Sequence, residues 1–149
     1  MPIGTTTKGR RQEQTRRAIV RKIDDIIIHC TATEAGFDYS VEQIRQWHKA
    51  NGWKDIGYHY VIRLDGSVEV GRPIQQPGAH CRGHNEHSIG IAYVGGLLRG
   101  VPHDTRTPAQ RQRLRGLVAD LQKIYRCPVH LHHDYNPLKA CPCFKMNDF

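Results

Sequence analysis

No stretch of this chain is apolar for long enough to cross a membrane, and no apolar run follows the basic residues near the N-terminus. A transmembrane helix and a secretory signal are therefore not expected, and synthesis in the cytoplasm is. Cysteine is too scarce and too unevenly placed for a disulfide framework. There are five, an odd number, and Cys141 and Cys143 share one short segment. Such usage fits a reducing compartment. Acidic side chains are also few, 14 against 22 lysines and arginines, giving a net charge of +8. That surplus is local. Residues 1–22 carry Lys8, Arg10, Arg11, Arg16, Arg17, Arg21 and Lys22 against the single acid Glu13, so the remaining residues are close to neutral. The sequence thus divides into a basic N-terminal arm, 1–22, and a body, 23–149. A solvated flexible tail and a contact surface for nucleic acid or another acidic partner both suit the arm. A chain of 149 residues with 38% apolar content is expected to be one domain with a real core, and a monomer.

What the chain does have is a dense cluster of ligand-type side chains near its end. Residues 130–143 read His-Leu-His-His-Asp-Tyr-Asn-Pro-Leu-Lys-Ala-Cys-Pro-Cys. Imidazole nitrogen and thiolate sulfur are the donors zinc prefers. Pro137 and Pro142 argue for a stiff loop and against a helix here. Two ligands from this loop and a third from upstream would give three protein ligands and one open position, the layout of a catalytic zinc site. A closed structural knuckle and a metal-free polar loop are the competing readings, and the rest of the chain has to decide.

Taken in order, Ile26-Ile27-Ile28 is a β-branched run that predicts a buried strand, and His29 stands at its end. Ser40 with Gln43 is a capping-box pair opening a helix, in which Val41, Ile44, Trp47 and His48 share a face. Asn51-Gly52 ends it, and Trp47 is expected in the core. Residues 57–64 predict a strand, Asp65-Gly66 a two-residue hairpin turn, and 67–71 the returning strand. A His- and Gly-rich loop occupies 78–85. Residues 88–94 predict another strand, and 97–106 a mobile polar loop. Thr107-Pro108-Ala109-Gln110 opens a second helix. Its apolar face runs through Leu114, Leu117, Val118, Leu121, Ile124 and Tyr125. Val129-His130-Leu131 is a last short strand that delivers His132 into the ligand-rich loop.

Five collinear stretches carry a family likeness. They are Ile28-His29-Cys30-Thr31-Ala32-Thr33; Gln46-Trp47-His48-Lys49 with Gly52-Trp53; Gly57-Tyr58-His59-Tyr60; Ser88-Ile89-Gly90-Ile91; and Lys139-Ala140-Cys141-Pro142. Together, over about residues 23–145, the chain resembles the zinc-dependent N-acetylmuramoyl-L-alanine amidases. This type-2 amidase family also contains the peptidoglycan recognition proteins, and the nearest likeness is to its phage endolysin branch. The resemblance implies an α/β fold, a mixed central β-sheet flanked by helices in a single domain. It implies Zn2+ held by His29, His132 and Cys141, with Tyr58 and Lys139 as catalytic groups beside it. It implies hydrolysis of the amide between N-acetylmuramic acid and L-alanine in peptidoglycan, with action on the cell wall after release or export. A non-catalytic peptidoglycan-binding module is the alternative when a ligand is missing, and here the set is complete. His80, Arg82 and Asn85, in a loop that the family places near the cleft, are candidate substrate contacts. Departures from the pattern are Leu138 between Pro137 and Lys139, the additional thiol Cys143 as a rival ligand, and Ala92 where some relatives carry a glutamate.

Overall fold

The structure is a computed structural model that describes residues 21–149. Residues 1–20, most of the basic arm, lie outside the described residues. Arg21 packs on the body: its guanidinium donates to the carbonyls of Ile74 (3.0 Å), Asn85 (3.1 Å) and Ser88.

The centre is a mixed five-stranded sheet. Strand β1, Asp25–Cys30, is buried along its whole length, as a strand with neighbours on both sides must be. It pairs in parallel with β5, Ser88–Tyr93, and with β8, Val129–Leu131. Strand β3, Tyr60–Ile62, is parallel to β5 and antiparallel to β4, Val68–Val70. The order across the sheet is therefore β4-β3-β5-β1-β8. Parallel strands of this kind need apolar cover on both faces. One face meets helix α2, Pro108–Tyr125, through Leu114, Val118 and Leu121. Ile44 and Val41 of α1, Val41–Ala50, close a second cluster with Ile56, Val61 and Val94. Both helices open with the predicted capping boxes, Ser40 with Gln43 and Thr107 with Gln110.

Several expectations need correction. Residues 97–106 are not simply loop. β6, Gly96–Leu98, and β7, Val101–Pro102, join β2, Thr33–Glu34, in a three-stranded sheet. The Glu34 carboxylate accepts from the backbone N–H groups of Arg99 and Gly100, a long-range pairing that local pattern does not encode. The hairpin loop is three residues, because Arg63 and Ser67 still pair and Gly66 N–H returns to the Arg63 carbonyl. Gly66 takes φ +87° there, the left-handed conformation that glycine adopts without steric cost. Trp47 is 41% exposed. It lies beyond the part of α1 that Val41 and Ile44 seat, and packs on Tyr39 at 4.8 Å. A short helix, α3, His132–Tyr135, occupies the start of the expected stiff loop. Its Asp134 carboxylate accepts from Leu131 N–H, and both prolines fall after it.

Candidate active site and metal centre

The register of β1 and β8 builds the site. Ile28 is aligned with Leu131, so the residues that follow them, His29 on β1 and His132 at the start of α3, stand side by side at the same end of the sheet. Their ring centroids are 4.5 Å apart. The third group arrives from the segment after α3. Several contacts fix it: Tyr93 Oη donates to the Pro142 carbonyl at 2.7 Å, His133 N–H to the Cys141 carbonyl at 3.0 Å, and Cys30 N–H to Cys141 Sγ at 3.2 Å. Phe144, buried in the main core, anchors the chain just beyond Pro142. The Arg106 guanidinium covers the Phe144 ring at 3.5 Å.

One donor atom each from His29, His132 and Cys141 falls within 4.8 Å of the others. Cys141 Sγ is 3.9 Å from His29 Nδ1. A tetrahedral ion with Zn–N near 2.0 Å and Zn–S near 2.3 Å separates those ligands by about 3.6 Å, so little movement is needed to close the site. His132 Nδ1 is buried with no hydrogen-bond partner among the described residues. A buried polar atom without a partner is costly, and a metal is a natural recipient for its lone pair. Burial drives the His29 pKa well below the ordinary imidazole range, with His80 and His132 adding to it. Burial and then Lys139 lower that of His132. Both are thereby held neutral, the form that ligates metal. The two histidines and the cysteine therefore fit a borderline-soft ion such as zinc.

Cys143 is not in this group. Its Sγ is 3.9 Å from Cys30 Sγ, and it falls outside the three donors that converge. The Cys30 thiol is pushed up to about 12, first by its contact with Cys141 and also by burial. Cys143 is raised too, by Cys30 and by burial. In the metal-free protein both favour the protonated thiol, and it is the position of Cys143 that leaves it out of the donor set.

Tyr58 lies with its ring 5.4 Å from that of His29 and its hydroxyl 3.5 Å from the Cys30 carbonyl. Burial, then Cys141 and Cys30, raise its pKa, so it stays a hydrogen-bond donor. A line of aromatic rings leads outward from it: His48 at 5.4 Å, then half-exposed Trp53 at 4.6 Å from His48. Lys139 is exposed, held by its backbone N–H to the Asn136 carbonyl. Arg82 is likewise exposed. His80 and Asn85 sit differently from the substrate contacts expected of them. His80 is buried behind His29, with Nδ1 2.8 Å from His29 Nε2. Asn85 Oδ1 accepts from the N–H groups of His80 and Cys81, so its carbonyl is spent on closing the loop.

The sequence reading missed Ser88 and His59. Ser88 Oγ is 3.2 Å from His80 Nε2. His59 is fully buried, accepting from Gly90 N–H at Nδ1 and reaching the Gln76 carbonyl from Nε2. A signal was present. Gly90 interrupts a strand, which marks close approach of another group; here a Cβ would meet the His80 ring at 2.5 Å.

Two histidines at one end of a mixed sheet, met by a cysteine from the segment after α3, are the layout of an amidase of the type-2 class. The N-acetylmuramoyl-L-alanine amidase family model matches residues 20–144, and the chain belongs to that family. It is 46% identical over 128 residues to the endolysin of Klebsiella phage KP32, covering 85% of this chain and 84% of that one. To the endolysin of Escherichia phage T7 it is 45% identical over 125 residues, covering 83% and 82%. The N-acetylmuramoyl-L-alanine amidase LysC from Clostridium intestinale superposes with a TM-score of 0.73 at 30% identity, covering 85% of this chain and 82% of that one. The protein is accordingly an N-acetylmuramoyl-L-alanine amidase, and the expected fold class is the one observed. Among the described residues no helix is long and apolar enough to cross a membrane.

Proposed function

We propose that the protein is a zinc-dependent endolysin that cuts peptidoglycan between the lactyl group of N-acetylmuramic acid and L-alanine, with residues 23–149 as the working domain. The convergence of His29, His132 and Cys141 within 4.8 Å carries this reading. Those three residues would hold Zn2+, which when bound acts as a Lewis acid and lowers the pKa of its water to about 7. The protein's own side chains then do the rest. Lys139, at the exposed rim, sets a fixed positive charge against the negative charge that develops on the scissile carbonyl oxygen. Tyr58, kept protonated by burial, donates a hydrogen bond to the same region and relays a proton toward the departing amine. Trp53 and His48 continue the wall that starts at Tyr58, each ring edge-on to the next, giving sugar or peptide an aromatic edge to pack on. Arg82 offers a guanidinium to a stem-peptide carboxylate.

Metal analysis of the purified protein tests the assignment. One equivalent of zinc in the wild type, lost from His29→Ala, is the expected result; a wild type that neither holds nor takes up zinc would refute it.

A further inference from the structure

Behind His29 a chain of buried polar groups runs through His80 and Ser88 to the backbone of the 78–85 loop. Ser88 Oγ donates to the His84 carbonyl at 2.6 Å. A carbonyl oxygen only accepts, so the single hydroxyl proton of Ser88 is committed there. Ser88 Oγ, 3.2 Å from His80 Nε2, must then be the acceptor, and His80 carries its proton on Nε2. A neutral imidazole has one N–H. His80 Nδ1 is therefore a lone pair, and the 2.8 Å contact to His29 Nε2 requires the proton to sit on His29 Nε2. The lone pair of His29 is left on Nδ1, the atom that faces Cys141 Sγ.

We infer that His80 and Ser88 are positioning residues that lock His29 in its Nε2–H tautomer and so present Nδ1 to the metal. This rests on reading the site as a zinc centre. Water cannot take over the role readily, because His29 and Ser88 are each 1% exposed and His80 9%. The backbone reserves the space for the ring: a Cβ on Gly78 would meet His80 Cδ2 at 2.6 Å, and one on Gly90 would meet it at 2.5 Å. The far end is also tied down. Asn85 Oδ1 holds the N–H groups of His80 and Cys81, and His84 N–H returns to the Cys81 carbonyl, so the His84 carbonyl is aimed by a closed turn. Hydrogen bonds of this kind behind a ligating histidine fix ring orientation, and losing them typically weakens metal binding about 10–100-fold.

The test uses the full-length protein with 15N-labelled histidine. Long-range 1H–15N spectra of the metal-free form at pH about 8, above the ordinary histidine range, report the tautomer directly. His29 is expected as Nε2–H in the wild type and as a mixture in His80→Leu. In a chelator competition, zinc affinity should fall about 10–100-fold in His80→Leu. His80→Asn, which puts an amide oxygen near the Nδ1 position, should restore much of it. Ser88→Ala keeps the imidazole packing and serves if His80→Leu does not fold; it should also show a mixed His29 tautomer. Finding wild-type His29 protonated on Nδ1 overturns the inference. So does equal zinc affinity in His80→Leu and His80→Asn, or a Ser88→Ala spectrum identical to wild type. A wild type that takes up no zinc would fail the zinc reading, while the metal-free spectrum decides the relay by itself.

Discussion

Cys141 Sγ stands 3.9 Å from His29 Nδ1 although 112 positions separate them in the chain. Beside them lies His132 Nδ1, buried with no hydrogen-bond partner among the described residues, and a single metal ion would join all three atoms. His29→Ala, His132→Ala and Cys141→Ser should therefore each lose zinc and activity together. Cys143→Ser should keep both, because its thiol points to Cys30. Metal content and peptide release, measured on the same preparations, check this. Zinc lost from Cys143→Ser and kept by Cys141→Ser would exchange the two thiols.

Lys139 lies outside the three-residue donor set. Lys139→Ala should keep one zinc and bind sacculi, while kcat falls about 10²-fold, the usual size of losing one group that stabilises developing charge. Tyr58→Phe should behave alike and also keep zinc. An unchanged kcat in Lys139→Ala would reduce Lys139 to a solvated loop cation.

How much of the fold and site is legible in the sequence depends on distance along the chain. The Ile26–Ile28 strand, both capping boxes and the 3.6-residue face of α2 are local patterns, and each is readable. The ligand set is readable only through family likeness, because the register Ile28 with Leu131 that brings His29 beside His132 is a long-range pairing. The same limit hides the pairing of β2 with β6, Thr33 against Gly96, although β6 and β7 are a local hairpin across Arg99-Gly100. His80 stands out in the sequence but is misplaced by it. A histidine in a polar, glycine-rich loop reads as solvent-facing, and only the gap left by Gly90 shows that the ring turns inward.

That gap yields its own expectation. Gly90→Ala would place a methyl against the His80 ring, and overpacking of this kind costs about 1–3 kcal/mol. Urea unfolding should show the loss, and zinc affinity should fall with it, since His80 is displaced. A variant as stable and as well metallated as the wild type would show that the ring has room to move.

Stability should also decline in acid through His59. Burial is the main cause that brings its pKa down to about 4, opposed by the hydrogen bond to the Gln76 carbonyl and aided by Arg21 and Arg72. Unfolded, the side chain titrates near 6.5. Above about 6.5 neither state binds the proton, so this group adds no pH dependence. Between about 6.5 and 4 only the unfolded state binds it, so stability falls as pH falls, by up to about 3 kcal/mol. Below about 4 both states are protonated and the decline stops. Buried His29 and His80 push the same way in metal-free protein, so the comparison is wild type against His59→Gln, both chelated. Urea midpoints between pH 7 and 5 should drop more steeply in the wild type; parallel slopes would remove His59 from the account.

The most direct test of the zinc-amidase reading is incubation of the protein with purified sacculi, with and without a zinc chelator. The account predicts soluble stem peptides bearing a free N-terminal L-alanine, no release under chelation, and recovery when zinc is returned. Release that persists under complete chelation, or products cut between sugars rather than at the lactyl amide, would contradict it.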